Sequence, residues 1–307
     1  MFSKIFSILI TAGFAFILVV MISSQNSRTA DYQSVSALTL NPTITPMPSP
    51  SPTIPPIPKV TSLPLDVTAH SYMIQDLNTN TILAQKDPGH VLPPASTTKI
   101  MTALIALDNF PPNEVVTVPN QQILGAKVGL FPGEMITVEN LLYAMLMQSG
   151  NDAAWALASH YPGGVPEFIN AMNLKATQLG LEQTHFVNPT GLHDSLHLSS
   201  TLDLIKLAKQ ALSNPLFAQI VATKEKTITS VTGLDQHRLV NLNQLLTTVP
   251  GVKGVKTGWT EQAREALVTL VEQNNHPLLI AILASEDRFG DTKKLIDWVY
   301  QNTVWGN

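Results

Sequence analysis

The apolar positions along this 307-residue chain fall into three regimes. From Ile5 to Ile22 the run is apolar apart from Ser7, Thr11 and Gly13, and one cation, Lys4, precedes it. Such a run is about long enough to cross a hydrocarbon core of roughly 30 Å. The residues after it, Ser23-Ser24-Gln25-Asn26-Ser27, are weakly suited to signal-peptide cleavage. Residues 1–24 are therefore expected to form an N-terminal membrane anchor or signal segment, an uncleaved anchor being preferred. Lys4 agrees with cytoplasmic positive charge, whereas Arg28 opposes it. From 25 to 65 the pattern dissolves into Ser, Thr and Pro, with prolines at 42, 46, 48, 50, 52, 55, 56, 58 and 64. Proline lacks the amide donor that helices and ladders need, so no regular hydrogen-bonded element is expected there. The stretch reads as a disordered, extended linker.

Periodicity returns from 66 to 307, about 240 residues, enough for one sizeable core. Val67 to Leu83 predicts two short strands around an Asn78-Thr79-Asn80 turn. After Pro93-Pro94, the run Ala95 to Leu107 predicts a helix with Ser96 in its first turn. Further helices are expected on both sides of Ser149-Gly150, with Gly150 as the break. Another starts near Glu167 and carries Phe168, Met172, Leu174 and Leu179 on its apolar side. Leu267–Val271 and Leu278–Leu283 read as closing strands and lead to a last helix from about Asp291 to Tyr300. Strands at both ends with helices between predict an α/β domain: an antiparallel sheet flanked by helices, plus a helical lobe.

Composition excludes some functions. The net charge is −4 and only 13% of residues are charged, so there is no basic field for nucleic acid. Without cysteine there is no disulfide, which is compatible with export but does not establish it. Eight histidines without H-E-x-x-H spacing argue against zinc, and no metal or cofactor is called for.

Three short motifs carry the candidate chemistry. In Ser96-Thr97-Thr98-Lys99 the i, i+3 spacing puts Lys99 beside Ser96 on one helical face. The amine can act as base for the hydroxyl if burial or a second cation lowers its pKa, and Lys256 is the obvious second cation. Ser149-Gly150-Asn151 displays a hydroxyl and a carboxamide from an inter-helix turn, suited to proton relay and to binding a substrate amide. Lys256-Thr257-Gly258 is placed on a sheet edge, where Lys256 and Thr257 would meet a substrate carboxylate and Gly258 would admit a substrate backbone.

These motifs, with Pro94 to Leu104, Pro132-Gly133-Glu134, Thr137 to Tyr143, Ser149 to Ala154, Thr184 to Asp194 and Gly254 to Gly258, resemble the D-alanyl-D-alanine carboxypeptidases among the low-molecular-mass penicillin-binding proteins. The resemblance spans roughly 66–300. It implies a β-lactamase-like, D,D-peptidase fold over 66–307, with Ser96 as acylated nucleophile, Lys99 as its base and Ser149 with Asn151 as the second catalytic pair. Lys256, Thr257 and Gly258 would bind substrate, and the backbone amides of Ser96 and Trp259 would hold the oxyanion. The implied reaction removes the terminal D-alanine of a peptidoglycan stem peptide through an acyl-enzyme, at the outer side of a bacterial cell membrane. β-Lactams would acylate the same serine.

Two departures stand out. Glu261-Gln262-Ala263-Arg264-Glu265 places charged residues where relatives commonly have a glycine, which puts the local loop geometry in question. The chain also ends soon after Tyr300, so a catalytic domain without the β-rich C-terminal domain of many relatives is expected. Arg288 could assist Lys256 but reads first as a helix start, and His193-Asp194 has no part in a lysine-based scheme. A D,D-endopeptidase shares every motif. A class A β-lactamase would want Asp at 150 and a deacylating glutamate, for which Glu167 reads instead as a helix-start acid. A non-catalytic wall-binding module conflicts with intact Ser96, Lys99 and Lys256.

Overall fold

A computed structural model describes residues 55–58 and 66–305. The expected anchor over 1–24 and most of the linker over 25–65 lie outside the described residues. Chain order begins with β1 (Ile57–Pro58), β2 (Ser71–Asp76) and β3 (Ile82–Lys86), then a 3-10 turn over Ala95–Thr98 that runs into α1 (Lys99–Asn109). β4 (Val115–Thr117), β5 (Met135–Thr137), α2 (Val138–Gln148), α3 (Asn151–His160) and α4 (Gly164–Gln178) follow. Next come α5 (Thr201–Leu212), α6 (Pro215–Ala222), β6 (Glu225–Thr229), β7 (Gln236–Val240) and the short α7 (Leu245–Thr248). The chain closes with β8 (Val252–Thr260), β9 (Arg264–Gln273), β10 (His276–Ser285), α8 (Arg288–Asn302) and β11 (Thr303–Val304).

The main sheet is antiparallel in the order β3-β2-β10-β9-β8. Its two-residue periodicity feeds two cores. Met73, Val268, Leu279, Ala281 and Leu283 face the helical lobe. Tyr72, Ile74, Leu267, Leu278, Ile280 and Ile282 face the other way, onto Leu295, Ile296 and Val299 of α8. Because both faces are covered, β10 reads as an unbroken apolar run from Leu278 to Leu283, not as an alternation. α2 is buried all round from Leu141 to Met147, as befits the central helix of the lobe. The α/β architecture and the joining of N- and C-terminal strands are as the sequence predicts.

Four local expectations are corrected. Within the expected linker, Ile57–Pro58 pairs antiparallel with Thr303–Val304, so this proline-rich stretch does join a ladder, at an edge where proline is tolerated. Ser96 sits in a 3-10 turn preceding the α-helix. In α4 the buried positions are Phe168, Met172 and Ala176, while Leu174 is exposed. The segment read as mostly helical also contains two ribbons, β4-β5 and β6-β7.

Candidate active site

Two strained backbone positions aim the motif hydroxyls. Ala95, directly before Ser96, has φ +46°, and Ser149 has φ +61°. L-residues avoid this region at a cost of roughly 1–2 kcal/mol, which the surrounding contacts must offset. At Ser149 the left-handed turn ends α2 and redirects the chain into α3, so the break lies at the serine and not at Gly150, whose φ is −56°. Glycine is needed at 150 for another reason: a Cβ there would lie 2.8 Å from Asp152 Oδ1 and 3.1 Å from Val128 Cγ1.

Ser96 and Lys99 are neighbours because a 3-10 turn eclipses positions i and i+3. Lys99 is fully buried, with its Nζ 3.1 Å from Ser96 Oγ, 2.7 Å from Asn151 Oδ1 and 2.6 Å from the Thr190 carbonyl. Burial, then the charge of Lys256, hold its pKa well below the ordinary lysine value, against a smaller opposing pull from Asp152. A neutral amine has two N–H groups and one lone pair. With the carbonyls of Asn151 and Thr190 taking the two hydrogens, the lone pair is left facing the Ser96 hydroxyl.

Lys256 lies on edge strand β8 as the sequence suggested, and its side chain is almost wholly buried, with 1% exposure. Its Nζ donates to Ser149 Oγ at 3.1 Å and to the Thr257 carbonyl at 2.9 Å. Burial and the neighbouring Arg288 charge lower its pKa to about 7. Arg288, at the start of α8, donates from Nη1 to the Gly258 carbonyl at 3.2 Å and pairs with Glu265 at 3.3 Å. Its Nε is buried without a hydrogen-bond partner among the described residues. The guanidinium lines a cavity of about 160 Å³ together with Ser96, Ser149, Thr257, Gly258 and Trp259. The helix start is therefore also a site residue.

Gly258 departs from expectation in what it accommodates. A Cβ at this position would lie 3.1 Å from the Ser96 nitrogen and from Ala95 Cβ, and 3.2 Å from the Pro94 carbonyl. The close approach it permits is that of the chain's own nucleophile turn. Trp259 follows it with 62% exposure and borders a second cavity of about 500 Å³, which also contains Ser96, Asn151 and Glu261. Asn151 is tied at both ends, since its Nδ2 donates to the Leu124 carbonyl at 2.7 Å while its Oδ1 holds Lys99. It therefore positions the base before it meets any ligand. Beside it, Asp152 accepts from the amides of Val128, Gly129 and Leu130, fixing the loop that follows the cavity-lining Gly125 and Ala126.

The loop in question at 261–265 is resolved by charge pairing: Arg264 binds Glu286 and Glu265 binds Arg288, although Arg264 takes φ +57° where a glycine would be unstrained. Sequence reasoning missed His197. Its Nδ1 accepts from the Val187 amide at 3.1 Å, and its Nε2 lies 2.7 Å from Thr98 Oγ1, which donates to the Ala95 carbonyl. Burial is the main cause lowering its pKa to about 4, so it stays neutral. This chain of bonds pins the strained residue before the nucleophile. No spacing rule links positions 98 and 197, so only the fold could disclose it. His193 lines the larger cavity without a bond to the Ser96–Lys99 pair.

A family model described as D-alanyl-D-alanine carboxypeptidase matches residues 58–287. The chain is 37% identical to the D-alanyl-D-alanine carboxypeptidase DacB2 of Mycobacterium tuberculosis over 227 residues, covering 72% of this chain and 77% of that protein. It is 35% identical to a D-alanyl-D-alanine endopeptidase of Escherichia coli over 250 residues, 78% of this chain and 79% of the relative. The crystal structure of the Streptomyces K15 DD-transpeptidase is similar with a TM-score of 0.72 at 32% identity, over 77% of this chain and 98% of that one.

Proposed function

The chain belongs to the D-alanyl-D-alanine carboxypeptidase family and is a serine-type peptidase, and we propose the following roles for its residues in that reaction. Ser96 gives its proton to the neutral amine of Lys99 as its oxygen attacks the carbonyl between the two terminal D-alanines of a peptidoglycan stem. The backbone amides of Ser96 and Trp259 hold the resulting oxyanion. The carbon–nitrogen bond then breaks as the leaving amine receives a proton from Lys99, relayed through Ser149, and D-alanine departs. Water, deprotonated in its turn by Lys99, releases the shortened stem. Thr257, Lys256 and Arg288 receive the terminal carboxylate. A β-lactam would acylate Ser96 by the same route.

The observation that carries this reading is the buried Lys99 amine, whose other two neighbours are both acceptors, so that its lone pair is reserved for Ser96. Incubation with a fluorescent penicillin tests it: one covalent adduct per chain is expected, lost in Ser96→Ala. An unlabelled wild-type protein would contradict the assignment. The 35% identity to an endopeptidase also favours a second reading, hydrolysis of cross-linked stems. D-Alanine release from a pentapeptide, measured against cleavage of a cross-linked dimer, separates the two.

For the whole chain, residues 1–24 are proposed to anchor a catalytic domain at 66–307 to the bacterial membrane, with 25–65 as spacer and the active site outside the cytoplasm. The apolar run from Ile5 to Ile22 supports this. Among the described residues no helix is long and apolar enough to cross a membrane. Carbonate-resistant sedimentation of the full chain with membranes tests the anchor; release into the soluble fraction would oppose it.

A further inference from the structure

Ser96 and Trp259 border two arms of one cleft. The smaller arm holds Thr257 and Arg288, and is the positive end. Among the residues lining the larger arm there is no lysine or arginine, and one acid, Glu261. The Glu261 carboxylate makes no hydrogen bond or ion pair with any described residue. Its acidic neighbours differ, since Glu265 and Glu286 are spent on Arg288 and Arg264. An unpartnered charge facing the cleft beside the nucleophile is free to meet a ligand.

Its distance from the carboxylate site is also informative. Glu261 follows Thr257 by four residues, at most about 13 Å along a strand that rises roughly 3.3 Å per residue. A stem that adds itself to edge strand β8, with its terminal carboxylate at Thr257, runs back over three residues in about 10 Å. The side chain of the residue before the two D-alanines then has to span only the last few ångströms. We propose that Glu261 is a specificity-determining residue that selects stems in which this residue carries a free, protonated amino group. The selection rests on the carboxypeptidase reading above and names the substrate class of that same site.

Glu261 is exposed, so solvent screens it and a preference of up to about fivefold is expected. The test compares two N-acetylated tripeptides ending in D-Ala-D-Ala, their first residue a lysine with its ε-amine either free or acetylated, on the full chain. Wild-type kcat/KM should favour the free amine; the ratio should fall to about one in Glu261→Gln and below one in Glu261→Lys. Reversal with the sign of the charge is what mere removal of bulk could not produce. A covalent penicillin adduct on each variant reports an intact fold and nucleophile. Equal cleavage of both peptides by wild type, or a ratio unmoved in both variants, overturns the Glu261 proposal alone. Cleavage of neither peptide overturns the carboxypeptidase reading, and the proposal falls with it.

Discussion

Replacing Lys99 by arginine puts a permanent cation next to Ser96 in place of the neutral amine and removes the base, because a guanidinium cannot give up its proton in the working pH range. Acylation by penicillin in Lys99→Arg is expected to slow by roughly 10²–10⁴, the usual worth of general-base assistance, and stopped-flow labelling measures it. Arg288 poses a subtler electrostatic question. Its charge helps hold the Lys256 pKa at about 7, so Arg288→Gln should let that value rise. The expected result is a lower kcat/KM for D-alanine release, from the lost partner for the carboxylate, with the alkaline limb of its pH profile moved above the wild-type position. A drop in rate with an unmoved limb would remove Arg288 from the electrostatics of Lys256. Both roles were only half legible in the sequence. Spacing along one turn could place Lys99 beside Ser96, but whether either lysine was buried, and its pKa therefore lowered, depends on α2, α3 and β8 closing around it.

At the level of elements, the site is held by backbone contacts that side-chain patterns do not announce. Gly191 has φ +83°, and a Cβ there would lie 1.8 Å from the Ala95 carbonyl oxygen, a backbone atom that cannot step aside. Gly191→Ala should therefore cost at least about 3 kcal/mol or prevent folding, since strain adds to the clash; urea denaturation reads this out. Gly258→Ala meets the nucleophile turn at 3.1 Å, which a shift of a few tenths of an ångström relieves. Its stability should stay close to wild type while acylation of Ser96 falls by about tenfold or more, because small misplacements of reacting groups are expensive. Sequence pattern revealed the long strands β9 and β10, whose apolar runs are buried on both faces, and the final helix, which buries the stripe Leu295, Ile296 and Val299. It failed for β4-β5 and β6-β7, whose strands have three to five residues, too few for a period to show. Ala95 and Ser149 escaped for a different reason: their positive φ is imposed by the tertiary contacts of two hydroxyl-bearing turns, against local preference.

Taken over the whole molecule, the catalytic apparatus buries basic groups whose proton affinity the interior lowers, and this makes folding depend on pH. His197 has its pKa lowered to about 4 in the fold, against an ordinary 6.5. Between those values the unfolded chain binds a proton that the folded chain does not, so stability rises with pH across that window. Lys256 behaves alike between about 7 and its ordinary 10.5, and Lys99 adds to the same trend below 10.5. Lowering the pH from 6.5 to 4 should thus remove up to about 3 kcal/mol through His197 alone. Raising it from 7 towards 10 should stabilise the protein, because folding releases the lysine protons that the unfolded chain still binds, and that release costs less as the proton activity falls. Urea midpoints followed by tryptophan fluorescence from pH 4 to 10 are expected to climb in both windows, and Lys256→Met should make the upper climb shallower. A profile flat above pH 7 would mean that the two lysines keep their protons in the folded state, and an amine that keeps its proton cannot take one from Ser96.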